Sequence, residues 1–202
     1  MNQQVLVIHG GTTFPNHKKF LEHLSTLDID LERLRYKLDW KGSLAQDLGN
    51  DYDVFTPKMP NATNAQYDEW KIWFENILPR MHKDIILVGH SLGGAFLIRY
   101  LSENKVSSSI KALFLIASPY EAIEDEEYLG GFELSKKNEP LSLQSNQIII
   151  FHSDDDKVVP VEQSKQLHAL VEGSQLKILN NYGHINTEHF PELVKEIRNI
   201  ML

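Results

Sequence analysis

Short apolar runs separated by amphipathic stretches constrain the fold of this chain more than any other feature. The runs are rich in β-branched residues and comprise residues 5–8, 85–88, 112–117, 148–151 and 176–179. Runs of this length and composition are typical of strands that are buried on both faces. Residues 52–56 form a sixth candidate strand, which ends before Pro57 because proline cannot donate a hydrogen bond to a sheet.

Between these runs, apolar residues recur with the period of an α-helix. The clearest case spans residues 65–78, and its apolar face comprises Trp70, Trp73, Phe74, Ile77 and Leu78. This spacing indicates core packing rather than an aromatic binding site, and Thr63 with Gln66 predicts a capping box at the start of the helix. Further helices are predicted after Pro15, over residues 95–101 and 163–171, and over residues 192–201.

The alternation of strands and helices predicts an α/β fold, with a mainly parallel sheet covered by helices on both faces. Two segments interrupt the alternation. Residues 27–50 form a charged insertion that carries Trp40 and Gly42, and residues 119–147 form a second long connection without a strand signal. Long connections often border a functional site, whereas the acidic residues within 121–127 are expected to lie on a solvated surface.

The composition excludes several kinds of site. The length of 202 residues fits a single domain, 1–202. The chain has no cysteine, which excludes disulfides, thiolate–zinc sites and cysteine nucleophiles. Its nine histidines form no pattern typical of metal ligands, so neither a metal nor another cofactor is expected.

The charge and hydropathy of the chain bear on its partners and location. A formal net charge of −8 disfavours binding to nucleic acid or to an anionic membrane surface. No apolar run approaches the roughly 20 residues of a membrane span, and the N-terminus lacks the basic and apolar regions of a signal peptide. A cytoplasmic protein is therefore expected, and the sequence does not fix its oligomeric state.

The pentapeptide Gly89-His90-Ser91-Leu92-Gly93 carries the strongest chemical signal. A predicted strand ends immediately before it and a predicted helix begins immediately after it, which is the setting of a nucleophile elbow. Glycines are needed there because bulky side chains beside the serine would clash with the strand or the helix. Ser91 is therefore the candidate nucleophile, and a glycine-rich turn with a capping serine is the alternative.

A serine nucleophile needs a base and an acid, which follow it along the chain in folds with this elbow. Asp154, Asp155 and Asp156 come directly after a predicted strand, and His184 lies between the last predicted strand and the last helix. Spacing alone does not choose among the three aspartates. His189 is the fallback base, and the remaining histidines are assigned no catalytic role.

The first predicted strand runs into His9-Gly10-Gly11, a turn whose backbone N–H groups can face a developing oxyanion. We expect the N–H groups of Gly11 and Leu92 to form this oxyanion hole. In a sheet of order 2-1-3-4-5-6, strands one and three are neighbours at the point where the strand order reverses. Gly11 would then lie beside Ser91.

Together these residues resemble the α/β hydrolases and, more narrowly, the small serine hydrolases related to retinoblastoma-binding protein nine. The resemblance covers nearly the whole chain. Besides the motif around Ser91 and the segments that hold the base and the acid, it includes Pro57-Lys58-Met59-Pro60, Trp70, Ser118-Pro119-Tyr120 and Gly130-Gly131-Phe132. It implies an α/β-hydrolase fold with about six mainly parallel strands, at most a small cap, and no cofactor.

The resemblance also selects an acid, because the family pattern Asp-x-x-Val-Pro matches Asp156 to Pro160. It implies a catalytic triad of Ser91, His184 and Asp156 that cleaves small-molecule carboxylic esters or amides. The insertion over residues 27–50 looks longer than in the small relatives, so substrate scope does not carry over. Two rival functions remain, a non-catalytic binding or scaffold protein and an acyltransferase.

Overall fold

The computed structural model describes residues 1–122, 129–134 and 141–200. Its centre is a parallel sheet whose strands are β1 (Gln3–Ile8), β2 (Tyr52–Phe55), β3 (Ile85–His90), β4 (Ile110–Ile116), β5 (Ile148–Ser153) and β6 (Gln175–Leu179). The spatial order is β2-β1-β3-β4-β5-β6, and every neighbouring pair is parallel. Both the predicted α/β class and the predicted strand order are confirmed.

Alternate residues of the central strands enter two separate cores, one on each face of the sheet. On β1, Leu6 and Ile8 pack into one core, and Val5 and Val7 pack into the other. All six residues of β3 are buried. The edge strands β2 and β6 are only partly buried, as expected where one side of a strand has no neighbour.

Helices cover both faces of the sheet, as the alternation of strands and helices requires. They are α1 (His17–Thr26), α2 (Trp40–Leu48), α3 (Tyr67–Ile77), α4 (Leu92–Glu103), α5 (Val161–Leu170) and α6 (Pro191–Asn199). Buried residues of α3, α4 and α5 join one core, whereas those of α2 and α6 join the other. Within the described ranges, no helix is long and apolar enough to cross a membrane.

Residues 27–50, which were predicted to be a charged insertion, contain a further helix in their second half. Helix α2 occupies that part, and Trp40, Leu44 and Leu48 are buried along one of its faces at intervals of four residues. Asp39 is the N-cap residue of this helix, and its side chain accepts hydrogen bonds from two backbone N–H groups of the first turn. This short apolar stripe is hard to recognise in the sequence because charged residues precede Asp39.

The start of α3 also differs from the prediction. Gln66 is its N-cap residue and makes no capping hydrogen bond through its side chain, so the predicted capping box is wrong. Thr63 instead lies in a 3-10 turn, Ala62–Asn64, which is tied by backbone hydrogen bonds to Thr12 after β1. Trp73 on the predicted apolar face is 43% exposed, so the buried face of this helix is narrower than predicted.

The long connection over residues 119–147 is described only in part. Its described residues form a 3-10 helix, Gly130–Phe132, whose Phe132 is buried beside Leu129 in the core that α3 also joins. The acidic stretch predicted to be solvated, 121–127, lies mostly outside the described residues.

Candidate active site

All five predicted site residues lie at the carboxyl edge of the sheet and line one cavity of about 1040 Å³: Gly11, Ser91, Leu92, Asp156 and His184. Parallel strands bring their carboxyl ends to the same edge, so residues that follow different strands can meet there. Ser91 follows β3, Asp156 follows β5 and His184 follows β6. Gly11 follows β1, so the fold assembles the candidate site from four distant parts of the chain.

Ser91 occupies a strained turn between β3 and α4. Its backbone has φ 52° and ψ −126°, a conformation that a residue with a side chain rarely adopts. The turn is held by a hydrogen bond from the Ser91 N–H to the Ile116 carbonyl (2.9 Å) and by the Gly94 N–H, which donates to the Ser91 carbonyl (2.9 Å). This is the backbone geometry that exposes a nucleophile at the end of a strand.

The glycines of the pentapeptide are required by close packing around this turn. A Cβ atom on Gly89 would lie 2.6 Å from the Gly94 Cα atom, and one on Gly93 would overlap the Ile8 carbonyl group of β1. The start of α4 therefore touches the backbone of both β1 and β3. Any side chain at these positions would push the nucleophile away from the sheet.

His184 and Asp156 form a direct hydrogen bond. The Nδ1 atom of His184 lies 2.8 Å from Oδ2 of Asp156, whose side chain is buried. The other carboxylate oxygen of Asp156 accepts backbone N–H groups from Val158 (2.8 Å) and Val159 (3.1 Å). Because Nδ1 donates to the carboxylate, Nε2 of a neutral His184 carries the lone pair that a base requires.

The electrostatics around Asp156 keep it ionised. Burial alone would raise the pKa of its carboxyl group, but hydrogen bonds from His152 and His184 and the backbone N–H of Val158 outweigh burial. The pKa therefore lies well below its usual range. An ionised carboxylate at this position can orient an imidazole and stabilise it when it becomes positively charged.

The other two aspartates of the loop bind the backbone that precedes His184. Asp154 accepts the N–H of Asn181 (3.2 Å), and Asp155 accepts the N–H of Gly183 (2.8 Å). Asn181 and Gly183 both have positive φ angles, and these two hydrogen bonds hold the bend that the chain makes there. Of the three carboxylates, the one that contacts the imidazole is that of Asp156.

Two side chains without a predicted role hold the backbone around the base. His90 donates from Nε2 to the His184 carbonyl (2.9 Å), and Trp40 donates from Nε1 to the Ile185 carbonyl (2.8 Å). Burial lowers the pKa of His90 well below its ordinary value, so its imidazole is neutral. The only sequence signal for His90 is its place beside Ser91, and Trp40 lies in the segment that was predicted to be irregular.

The fallback base His189 does not line the cavity that holds Ser91. It lies after the turn that carries His184, and its Nδ1 atom is 2.9 Å from Oδ2 of Asp47. The hydrogen bond with Asp47 raises the pKa of His189, whose side chain is 54% exposed. This pair ties the C-terminal part of the chain to α2 and is separate from the nucleophile.

The predicted oxyanion hole lies where the turn after β1 meets the start of α4. Leu92 is the first residue of α4, so its N–H has no acceptor within the helix. A Cβ atom on Gly10 would lie 3.0 Å from the Ser91 Cβ, and one on Gly11 would lie 3.2 Å from a methyl group of Leu92. Within this turn, Gly10 is the residue that lies directly beside Ser91, and Gly11 packs against the side chain of Leu92.

His9 fixes the conformation of that turn. Its Nδ1 atom donates to the Gly10 carbonyl (2.6 Å), and its Nε2 atom accepts the N–H of Met59 (2.8 Å). Both ring nitrogens are thereby engaged, and the ring packs edge-on against Trp70 at a centroid distance of 5.9 Å. His9 is a positioning residue for Gly10 and Gly11, a role that the sequence pattern did not reveal.

The site therefore brings a serine, an imidazole, a buried carboxylate and the N–H group at the start of α4 together around one cavity. Among the described residues, none makes a hydrogen bond with the Ser91 hydroxyl, although His184 lines the same cavity. Catalytic hydrogen bonds are often longer without substrate and tighten when it binds. The described residues also contain no group of three or more histidine, aspartate or glutamate side chains arranged to hold a metal ion.

Known proteins are similar to this chain in sequence. A family model described as serine hydrolase matches residues 35–195. The chain is 24% identical over 166 residues to the serine hydrolase RBBP9 of Rattus norvegicus, covering 80% of this chain and 86% of that protein. It is 23% identical over 140 residues to the putative hydrolase YdeN of Bacillus subtilis, covering 67% of this chain and 72% of that protein.

Solved structures share the fold. The crystal structure of the ydeN gene product of B. subtilis superposes with a TM-score of 0.70 and 17% identity, covering 99% of both chains. The meta-cleavage product hydrolase CumD of Pseudomonas fluorescens superposes with a TM-score of 0.67 and 15% identity, covering 99% of this chain and 90% of that one. The chain therefore belongs to the serine hydrolase family, and the protein is a hydrolytic enzyme with the α/β-hydrolase fold.

Proposed function

We propose that this enzyme hydrolyses carboxylic esters of small molecules through an acyl-enzyme formed on Ser91. His184 acts as the general base and Asp156 as the carboxylate that orients it. The observation that carries this proposal is the 2.8 Å contact between His184 Nδ1 and Asp156 Oδ2 on the cavity that Ser91 lines. That contact sets the imidazole tautomer that a serine nucleophile needs.

In the acylation step, the Ser91 oxygen attacks the carbonyl carbon of the ester as its proton passes to Nε2 of His184. The carbonyl oxygen becomes negatively charged and accepts hydrogen bonds from the N–H groups of Gly11 and Leu92. His184 then gives the proton to the departing alkoxide, and the alcohol leaves. Asp156 stabilises the positively charged imidazole during this exchange and stays ionised throughout.

Deacylation repeats the same steps with water as the nucleophile. His184 removes a proton from the water molecule, whose oxygen attacks the acyl carbon on Ser91. The oxyanion forms again at Gly11 and Leu92, and collapse of the intermediate releases the acid and restores the serine. The reaction uses no cofactor, and amides remain a possible second class because the same steps expel an amine.

Ester turnover tests this proposal. Purified protein is expected to hydrolyse p-nitrophenyl esters of graded acyl length, and Ser91→Ala is expected to lose this activity. Ser102→Ala is the matched control, because Ser102 lies at the opposite end of α4 from Ser91, where its hydroxyl donates to the Arg99 carbonyl, and it lies outside the lining of the cavity. Equal turnover by wild type and Ser91→Ala, or none by wild type at any acyl length, would contradict the proposal.

A further inference from the structure

A second buried histidine stands behind the proposed acid. His152 is the penultimate residue of β5, and neither its side chain nor that of Asp156 is exposed to solvent. Its Nε2 atom lies 3.4 Å from Oδ2 of Asp156, the same oxygen that contacts His184. None of the reaction steps above uses this imidazole.

The surroundings of His152 fix where its proton lies. Nε2 faces two acceptors, the Val159 carbonyl at 2.8 Å and Oδ2 of Asp156 at 3.4 Å, so Nε2 must carry a hydrogen. On the other side of the ring, Nδ1 lies 2.6 Å from the hydroxyl of Ser164 on α5. A serine hydroxyl can donate to Nδ1, so the contact with Ser164 fits a ring whose hydrogen is on Nε2.

The carboxylate of Asp156 is thus held from two sides. The oxygen Oδ1 accepts the backbone N–H groups of Val158 and Val159, whereas Oδ2 lies between the rings of His184 and His152. Apart from His184, which is the ring to be oriented, the ring nitrogen beside Oδ2 is that of His152. A fixed N–H at this place restrains the oxygen and keeps it in line with the base.

We propose that His152 is a positioning residue that holds Oδ2 of Asp156 in line with His184, and that Ser164 sets the His152 tautomer required for this. The proposal rests on the proposed function, in which Asp156 orients His184. The ring N–H of His152 donates to the Val159 carbonyl and lies within 3.4 Å of Oδ2 of Asp156, so this one imidazole holds the backbone of the loop and contacts the carboxylate itself.

Two substitutions of His152 by side chains of similar size distinguish a positioning role from a packing role. The amide nitrogen of glutamine reaches the place of Nε2, whereas asparagine reaches only the place of Nδ1 and retains contact with Ser164. We expect His152→Asn to lower kcat for ester hydrolysis by about 10- to 100-fold with little change in KM, because the acid loses its fixed position. His152→Gln should recover most of the lost kcat.

A control comes from a second histidine–serine pair away from the cavity. Nδ1 of His168 lies 2.8 Å from the Ser174 hydroxyl, and His168→Asn should leave kcat and KM unchanged. The proposal is overturned if His152→Asn keeps the wild-type kcat. It is also overturned if His152→Gln loses as much as His152→Asn, since the restored N–H would then have no effect.

A measurement without turnover keeps the proposal testable if either variant fails to fold or if the enzyme does not cleave the esters tried. The imidazole N–H protons of His184 and His152 are expected as two downfield proton NMR signals, assigned in selectively labelled protein. In Asp156→Asn, both signals should move or broaden, whereas they should stay unchanged in Asp53→Asn, whose carboxylate lies on β2 and outside the lining of the cavity. Movement of the His184 signal alone would overturn the assignment of His152.

Discussion

The three consecutive aspartates of the loop after β5 differ in what their carboxylates touch. Asp154 and Asp155 accept backbone N–H groups of Asn181 and Gly183, whereas Asp156 contacts the imidazole of His184. Chemically equivalent neighbours thus make different contacts: two bind the backbone of the turn before His184, and one binds the imidazole of His184. Position along the chain cannot distinguish them, because the distinction depends on which carboxylate the turn after β6 meets.

Conversion of each aspartate to asparagine tests this division of tasks. Asp156→Asn should lower kcat by about 10⁴-fold, because an amide favours the wrong tautomer of the imidazole. Asp154→Asn and Asp155→Asn retain an oxygen that can accept the same N–H groups and should stay within about tenfold of wild type. Steady-state kinetics on one ester decide the matter, and an Asp155→Asn variant as impaired as Asp156→Asn would show that the acid is misassigned.

Asp156 also makes the fold sensitive to acid. Its pKa is lowered in the folded protein, whereas in the unfolded chain it is about 4, so the unfolded state takes up the proton first. The ionised carboxylate therefore stabilises the fold above about pH 4, and this contribution is lost as the pH falls towards the folded-state pKa. The free energy of unfolding, measured in urea, should decline less steeply below about pH 4 in Asp156→Asn. Identical slopes would contradict this.

Among the helices, α2 connects one of the two cores to the candidate active site. Trp40 is fully buried, packs edge-on against His90 at a centroid distance of 5.8 Å, and donates its indole N–H to the carbonyl of Ile185. The helix thus supports both the residue beside the nucleophile and the residue after the base. Helix α2, which lies in the predicted charged insertion, thus helps to hold the loops around Ser91 and His184.

Replacement of Trp40 by phenylalanine tests the role of α2. The variant keeps an aromatic ring but leaves the buried Ile185 carbonyl without its donor, which should cost about 1–3 kcal/mol of unfolding free energy. Trp73→Phe is the control, because Trp73 is 43% exposed and its change should stay within about 0.5 kcal/mol. Urea denaturation followed by circular dichroism measures both, and equal midpoints for the two variants would refute the supporting role of Trp40.

Over the whole molecule, the sheet order explains why the site exists. The turn after β1 lies beside the nucleophile after β3, and the acid and the base follow the neighbouring strands β5 and β6. Four chain segments therefore converge on one edge of the sheet. The alternation of strands and helices predicted a common edge for the strand ends, whereas the strand order itself came from the resemblance to the α/β hydrolases.

Other features could not be read from the chain because they depend on contacts between distant residues. The turn held by His9 and the carbonyl held by His90 involve side chains that look ordinary in sequence. Helix α2 was concealed because its buried stripe is short and follows charged residues, and its burial depends on packing against α6. The α/β class was thus predictable from the periodicity of the sequence, whereas the contacts that hold the candidate site are visible only in the tertiary structure.

Covalent labelling of Ser91 tests the central claim most directly. The protein is treated with a fluorophosphonate, which reacts with activated serines, and the adduct is located by peptide mass spectrometry. We predict one adduct per chain on Ser91, none in Ser91→Ala, and much slower labelling in His184→Ala, because the hydroxyl is a weak nucleophile without its base. An adduct on another serine, or equal labelling of wild type and Ser91→Ala, would contradict the assignment of Ser91 as the nucleophile.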